Sequence, residues 1–304
     1  MTSPLPLALV QAPARPAGDL GSFASDLQRL ARQRPAVRLF VYPELHLATP
    51  APGTGSDGGP AVLEELAEPL DGPVDRQLAE LAGDLGVWLM PGTLYERGDD
   101  GHVYNTAPVY SPDGRRVAAY RKICPWRPYE TTTPGTEFVV FEMGQYGRVG
   151  MTICYDAWFP EIARNLTHLG ADLIVNLVQT PTSDREQEVV LARANAITNQ
   201  VFVASVNAAG PTGLGRSLLV DPEGRVRTQA PGAEDCVLTD VIDLGDTART
   251  RRYGTAGLNR PWEQFRLGDA SLDLPLYGGR IDPHTWGAGL GGSGSSRTER
   301  AETS

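Results

Sequence analysis

Apolar and polar positions alternate along the chain in blocks that predict strands and helices in turn. "LPLALVQA" from Leu5 is an unbroken apolar run of strand length. Leu20, Phe23, Ala24, Leu27, Leu30 and Ala31 then recur at helical spacing, which predicts an amphipathic helix. "RLFVYPEL" is a short strand stopped by Pro43. A second helical stripe holds Val74, Leu78, Leu81, Ala82 and Leu85, and "VWLMPG" follows as a strand. "VYNTAPVYSPDGRRVAAYRK" has two β-rich runs around Pro112-Asp113-Gly114, the pattern of a hairpin. "RVGMTICYD" predicts a strand, Trp158 to Leu169 a helix, and "ADLIVNLV" a strand. "SDREQEVVLARANAITNQ" predicts a helix opened by a capping box, Ser183 with Glu186. "VFVASVNAAG", "RSLLVDPEGRV" and "CVLTDVIDL" predict further strands, the second turning at Asp221 to Gly224. Strands interleaved with helices imply an α/β or α+β fold whose helices cover sheet faces.

Composition narrows the picture. With 304 residues, 41% hydrophobic and 21% charged, the chain has the make-up of a globular protein with a sizeable core. A formal charge of −10 argues against a nucleic-acid partner, which needs a basic footprint. The three cysteines, Cys124, Cys154 and Cys236, form no C-x-x-C pair, so a disulfide framework is not expected and a reducing compartment is. The four histidines are scattered, which gives a zinc site no support. "MTSPLPLALVQAPARP" lacks the basic start and long apolar core of a signal peptide, and no apolar run nears the ~20 residues of a membrane span. The expected location is the cytoplasm. Ala48 to Pro60, "ATPAPGTGSDGGP", reads as a Gly/Pro-rich loop without core residues. Residues 1–286 are expected to form one domain. Gly287 to Ser304, with no large apolar residue after Leu290, is expected to be a disordered tail.

Three side chains capable of chemistry fall where strands end: Glu44 after "LFVYP", Lys122 after "RVAAY", and Cys154 after "RVGMTI". Strand ends in such folds commonly line a crevice. A thiol of pKa about 8.5 is a poor nucleophile at neutral pH until a base takes its proton or a cation lowers that value. A carboxylate, an ammonium and a thiol make a working set: Glu44 as base, Lys122 as cation and oxyanion donor, Cys154 as nucleophile. The Tyr155 N–H, just past the nucleophile, is placed as a second oxyanion donor. Each residue also has a plain structural reading, as a core thiol, a loop carboxylate or a surface lysine.

The segments "VYPEL", "YRKICPWRPYE" and "VGMTICYDAWFPE", in this order, resemble the carbon–nitrogen hydrolase family, also called the nitrilase superfamily. The likeness runs from about Leu5 to about Asp243. It implies a four-layer α-β-β-α sandwich and a Glu–Lys–Cys triad mapping onto Glu44, Lys122 and Cys154. "RKICPWRPYE" resembles a pattern of the aliphatic amidases, and this places a second glutamate at Glu130, with Glu137 and Glu142 as competitors. The resemblance also implies hydrolysis of a small-molecule amide with no metal or organic cofactor, in a homodimer or larger homo-oligomer. Trp126, Tyr129, Tyr155 and Trp158 flank these residues as candidate pocket walls or as packing. Carbamoylase members tend to carry arginines after the nucleophile and nitrilases Trp-Glu. This chain has Tyr155-Asp156 followed by Ala157-Trp158-Phe159, with Arg127 as the one alternative arginine, which favours the amidase branch. A non-catalytic binding protein on the same fold is the reading from another class.

"GPTGLGRS", Gly210 to Ser217, nearly fits a phosphate-binding loop, with Arg216 in place of the lysine. Such a loop needs a helix directly after it. "LLVDPEG" predicts a strand and turn instead, so the segment reads as a glycine-rich connection between strands.

Overall fold

The computed structural model describes residues 3–49 and 60–281. Most of the Ala48–Pro60 stretch and all of Gly287 to Ser304 lie outside the described residues. Ala48 itself is buried, as is Leu47 before it, contrary to the expectation of a stretch without core residues.

The first half contains β1 (Leu5–Gln11), α1 (Leu20–Gln33), β2 (Leu39–Val41), α2 (Pro60–Leu66), α3 (Pro73–Leu85), β3 (Trp88–Met90), β4 (Leu94–Arg97), β5 (Val103–Tyr110) and β6 (Arg116–Arg121). The second half contains β7 (Val140–Glu142), β8 (Arg148–Ile153), α4 (Pro160–His168), β9 (Leu173–Val178), α5 (Arg185–Asn199), β10 (Phe202–Asn207), β11 (Leu218–Val220) and β12 (Val226–Gln229). β13 (Cys236–Ile242) and α6 (Asp246–Tyr253) follow. β1, β2 and β3 run parallel at the centre of a seven-stranded sheet, and β8, β9 and β10 run parallel in a six-stranded one. β13 returns to the first sheet and lies antiparallel on β1, with Leu5 opposite Ile242 and Gln11 opposite Cys236.

The period-2 geometry of a strand explains the layers. Leu5, Leu7 and Leu9 of β1 face a core shared with Val149, Met151 and Ile153 of β8 and with Leu173, Val175 and Leu177 of β9. The alternate residues Ala8 and Val10 face outward onto Phe23, Leu27 and Leu30 of α1 and Leu78 and Leu81 of α3. On the opposite outer face, Ile174 and Val203 meet Ile162 and Leu166 of α4 and Val189 and Ala192 of α5. The order is therefore helix, sheet, sheet, helix, as expected, and strands buried on both faces read as continuous apolar runs.

Local chemistry sets the helix ends. The Asp19 carboxylate accepts the Ser22 N–H at the start of α1. α3 begins with Pro73 and stops at Gly86, whose φ of 62° is left-handed and whose N–H returns to Ala82 and Gly83. The capping box expected at Ser183 and Glu186 does not form. Asp184 already has helical angles, the start of α5 has no side-chain cap, and the Glu186 carboxylate is drawn into an ion pair with Arg216. Two other boundaries move. β8 stops at Ile153, before Cys154, and the helix expected from Trp158 begins at Pro160, because a tight 3-10 turn occupies Cys154–Trp158. The glycine-rich segment 210–217 leads into β11 and not a helix, as its sequence implied. Its Gly215 has φ of 60°, and a Cβ there would meet the Gly232 carbonyl at 2.2 Å.

Candidate active site

The expected site residues arrive from three strand ends. β2 is followed by Pro43, which cannot extend the ladder, and the chain turns sharply through Leu45 at φ 51°. The Thr93 hydroxyl accepts the Leu45 N–H at 2.9 Å and fixes this turn. Glu44 is thereby directed inward and is buried. Its Oε1 accepts from Lys122 Nζ at 2.9 Å and from Asn105 Nδ2 at 2.8 Å, and its Oε2 accepts the Gln179 N–H at 3.0 Å.

Lys122 follows β6 directly. Its own N–H donates to the Asn105 carbonyl at 2.9 Å, which extends the hairpin by one bond. Its side chain is fully buried, and Nζ also donates to Glu130 Oε1 at 2.6 Å. Glu130 closes a turn: its N–H donates to the Trp126 carbonyl, and the Trp126 N–H donates to Glu130 Oε2 at 2.9 Å. One ammonium thus sits between two carboxylates. The competing glutamates lie elsewhere. Glu142 is exposed and pairs with Arg148 at 3.0 Å, and Glu137 is exposed beside Arg121 and Tyr104 on another surface.

Cys154 begins the 3-10 turn with φ of 47°, a left-handed conformation that costs a non-glycine residue about 1–3 kcal/mol and persists only where the surroundings enforce it. Asp156 enforces it. Its buried carboxylate accepts the Ile153 N–H at 2.9 Å, the Tyr120 hydroxyl at 2.7 Å and the Cys124 N–H at 2.8 Å. One side chain therefore holds the turn carrying Cys154 and ties it to the segment on either side of Lys122. Cys154 Sγ lies 3.6 Å from the Thr180 hydroxyl.

The four aromatic residues form two pairs. Trp126 and Tyr129 stack at 4.6 Å, with Tyr129 largely exposed, and Tyr155 and Trp158 lie 5.9 Å apart. The Trp158 indole N–H is buried without a partner. Arg127 is exposed at the same turn as Tyr129.

Burial dominates the electrostatics. It raises the Glu44 carboxyl above its ordinary range, against the pull of Lys122; Glu130 adds to the rise. Burial also pushes the Cys154 thiol well above its ordinary value. Glu44 adds to this, Lys122 opposes it, and Glu188 and Glu130 reinforce it. Lys122 goes the other way from a buried amine. Burial would lower it, but Glu44, Cys154 and Glu130 together hold it well above its ordinary value. The resting arrangement is a neutral thiol beside a carboxylate of raised basicity and a fixed ammonium. Among the described residues no group of three or more His, Cys, Asp or Glu is placed to hold a metal ion.

Sequence reasoning missed Asn105, Gln179 and Thr180, and gave Asp156 no role. Gln179 and Thr180 follow the apolar run of β9 directly, the same strand-end signal that picked out Glu44 and Cys154. Asn105 is an amide inside a strand buried at every position, and a buried amide needs a partner.

The comparisons with known proteins converge on one group. The family model for carbon-nitrogen hydrolases matches residues 7–252. Omega-amidase NIT2 of Xenopus tropicalis is 34% identical over 210 residues, 64% of this chain and 75% of that protein. Saccharomyces cerevisiae Nit3, a member of branch 10 of the nitrilase superfamily, superposes with a TM-score of 0.72 at 25% identity, covering 82% of this chain and 93% of that one. A glutamate-to-glutamine mutant of the amidase from Nesterenkonia sp. AN1 matches with a TM-score of 0.67 at 25% identity, over 82% of this chain and 94% of that one. That structure shows covalent addition of the acetamide moiety of fluoroacetamide at the active site cysteine. With its sandwich, its strand-end carboxylate, ammonium and thiol, and a family match over most of its length, the chain belongs to the carbon–nitrogen hydrolase family.

Proposed function

We propose that the protein is a cysteine-dependent amidase that converts a small carboxamide to a carboxylate and ammonia through a thioester. The observation that carries this reading is the single buried ammonium of Lys122 held between Glu44 and Glu130 beside Cys154. Cys154 Sγ attacks the amide carbonyl while its proton passes to Glu44, whose raised proton affinity suits a general base. The carbonyl oxygen takes up the electron pair and is held by Lys122 Nζ and the Tyr155 N–H. The tetrahedral adduct collapses, the C–N bond breaks, and Glu44 returns its proton to the departing ammonia. Water then attacks the thioester with Glu44 again as base, which releases the carboxylate and restores the thiol. Glu130 keeps Lys122 in place and faces the leaving group. The omega-amidase relatives and the covalent adduct in the Nesterenkonia amidase support an amide substrate. The test is a matched carboxamide and nitrile of one carbon skeleton, with ammonia measured and hydroxylamine added to trap the thioester as a hydroxamate. Faster turnover of the amide with hydroxamate formed is expected. A higher kcat/KM for the nitrile refutes the reading.

The protein also acts as a homo-oligomer in this reading. Val190 and Ile197 lie seven residues apart on α5, hence on one helix face, and both are exposed. Light scattering should give at least a dimer mass, and a Val190→Glu, Ile197→Glu double variant should reduce it. Among the described residues no helix is long and apolar enough to cross a membrane.

A further inference from the structure

A second polar chain reaches Cys154 that the reaction above does not use. Arg185 and Glu188, one turn apart on α5, are both buried and pair at 3.0 Å. The guanidinium is otherwise spent on the Gly215 and Arg216 carbonyls and the Ser205 hydroxyl, each at 3.0 Å. Glu188 Oε1 accepts the Thr180 hydroxyl at 2.9 Å. Thr180 is itself clamped, its N–H on the Asn207 side chain at 2.8 Å and its carbonyl on Asn207 Nδ2 and the Leu214 N–H. A buried ion pair of this kind is weak support for stability, because apolar side chains of equal volume commonly do as well. Its geometry points to the thiol 3.6 Å from the Thr180 oxygen.

A hydroxyl has one proton and two lone pairs. A carboxylate paired with a buried guanidinium only accepts, so the Thr180 proton is committed to Glu188. Toward sulfur the hydroxyl then offers a lone pair, which can accept from S–H and cannot donate to a thiolate. We propose that Thr180 is a positioning residue for Cys154: held by Glu188 and Arg185, it accepts the thiol proton's hydrogen bond and keeps the nucleophile protonated until substrate is bound and Glu44 takes the proton. This rests on Cys154 being the nucleophile. The charged groups acting on the thiol are Glu44, Lys122, Glu188 and Glu130, with Arg185 behind Glu188. Of these, Glu44, Glu188 and Glu130 favour the protonated thiol and Lys122 opposes them; Glu44 takes the proton only when the S–C bond forms. The consequence is a nucleophile sheltered from stray electrophiles in the empty enzyme, with the proton moving to Glu44 in the same step as the S–C bond forms.

The experiment follows alkylation of Cys154 by iodoacetamide against pH in a Cys124→Ala, Cys236→Ala background, with the labelled site mapped by mass spectrometry. Thr180→Val, which keeps the shape and removes the hydroxyl, should move the profile to lower pH and speed labelling at pH 7 about three- to tenfold, the scale of one hydrogen bond. Thr180→Ser should restore the parent profile. Thr180→Ala gives the same reading should the valine variant fail to fold. A profile moved to higher pH means that the hydroxyl donates to sulfur, and an unchanged one means that the contact is packing alone; either overturns the proposal. Label absent from Cys154 while activity is lost to labelling elsewhere overturns the nucleophile assignment first, and the proposal with it.

Discussion

Acid should loosen this protein through His46, two residues past Glu44. The His46 side chain is fully buried, with Phe23 at 5.8 Å and Tyr42 at 4.9 Å between ring centroids. Neither ring nitrogen has a hydrogen-bond partner; the Pro13 carbonyl is near enough to oppose the shift without making a bond of ordinary geometry. Burial, helped by Arg15, lowers the imidazole from 6.5 to about 3. In the unfolded chain the ring binds a proton that the folded chain refuses. The stability from keeping it neutral is therefore complete above pH 6.5 and is lost as pH falls toward 3. The whole interval is worth about 5 kcal/mol at 1.36 kcal/mol per tenfold, and the part between pH 7 and pH 5 is about 2 kcal/mol. Against a total stability of about 5–15 kcal/mol that is a large share. The perturbation is His46→Phe, which fills the aromatic slot and does not titrate. Its overpacking cost of about 1–3 kcal/mol is independent of pH. Urea unfolding of both proteins at pH 7 and pH 5 should show the wild type losing about 2 kcal/mol more than the variant, with carboxylate effects common to both cancelling. Two stability curves that run parallel over this range refute the reasoning.

Cys154→Ala should abolish turnover with the fold retained, and more than a few percent of residual activity in pure enzyme would contradict the assignment; Cys124→Ala and Cys236→Ala should stay active. Glu44→Gln should lower kcat by at least about a hundredfold, the usual scale for a general base, as measured by ammonia release. Asp156→Asn keeps the shape but turns an amide N–H₂ toward a donor now bonded to a carboxylate oxygen, so it should cost about 1–3 kcal/mol in urea unfolding and lower kcat more than it raises KM. Free-enzyme alkylation of Cys154 should be slow at pH 7 and rise through the alkaline range, because burial and Glu44 hold the thiol protonated; a plateau already reached below pH 7 would contradict this.

Much of this architecture was legible because its signals are local. The stripe from Leu20 to Ala31 can bury its apolar side only as a helix, and Pro43 can end β2 wherever β2 lies. Glu44, Lys122 and Cys154 stand out because each interrupts an apolar pattern at a strand end, and the structure brings Glu44 and Lys122 into contact. Glu130 depended on a resemblance, since nothing local separates it from Glu137 or Glu142; what separates them is the Trp126 turn that carries it to Lys122. Other features were illegible for physical reasons. The capping box at Ser183 has the right spacing, yet Arg216, distant in sequence, takes the Glu186 carboxylate. The Thr180–Glu188–Arg185 chain joins a strand end to the buried side of a helix. A sequence pattern marks Glu188 and Arg185 as ordinary polar positions of a surface helix, and only packing shows them enclosed. Short strands such as β4 and β7 carry too few residues for a period to register.

The pairing of β1 with β13 ties the first sheet to a strand made late in synthesis. Glu44, Lys122 and Cys154 all leave the ribosome before β13 does, yet the sheet that carries Glu44 lacks its last strand until Ile242 has been made. Until then β1 presents an open edge of unpaired backbone groups, a template for any other extended chain. The contact that covers this edge joins strands more than 200 residues apart in sequence, the kind of distant closure that folds slowly and late. The first sheet is thus begun before the second and finished after it. A nascent chain released short of Cys236 would carry Glu44, Lys122 and Cys154 on an unfinished scaffold. The topology makes synthesis through Ile242 a condition for a complete first sheet.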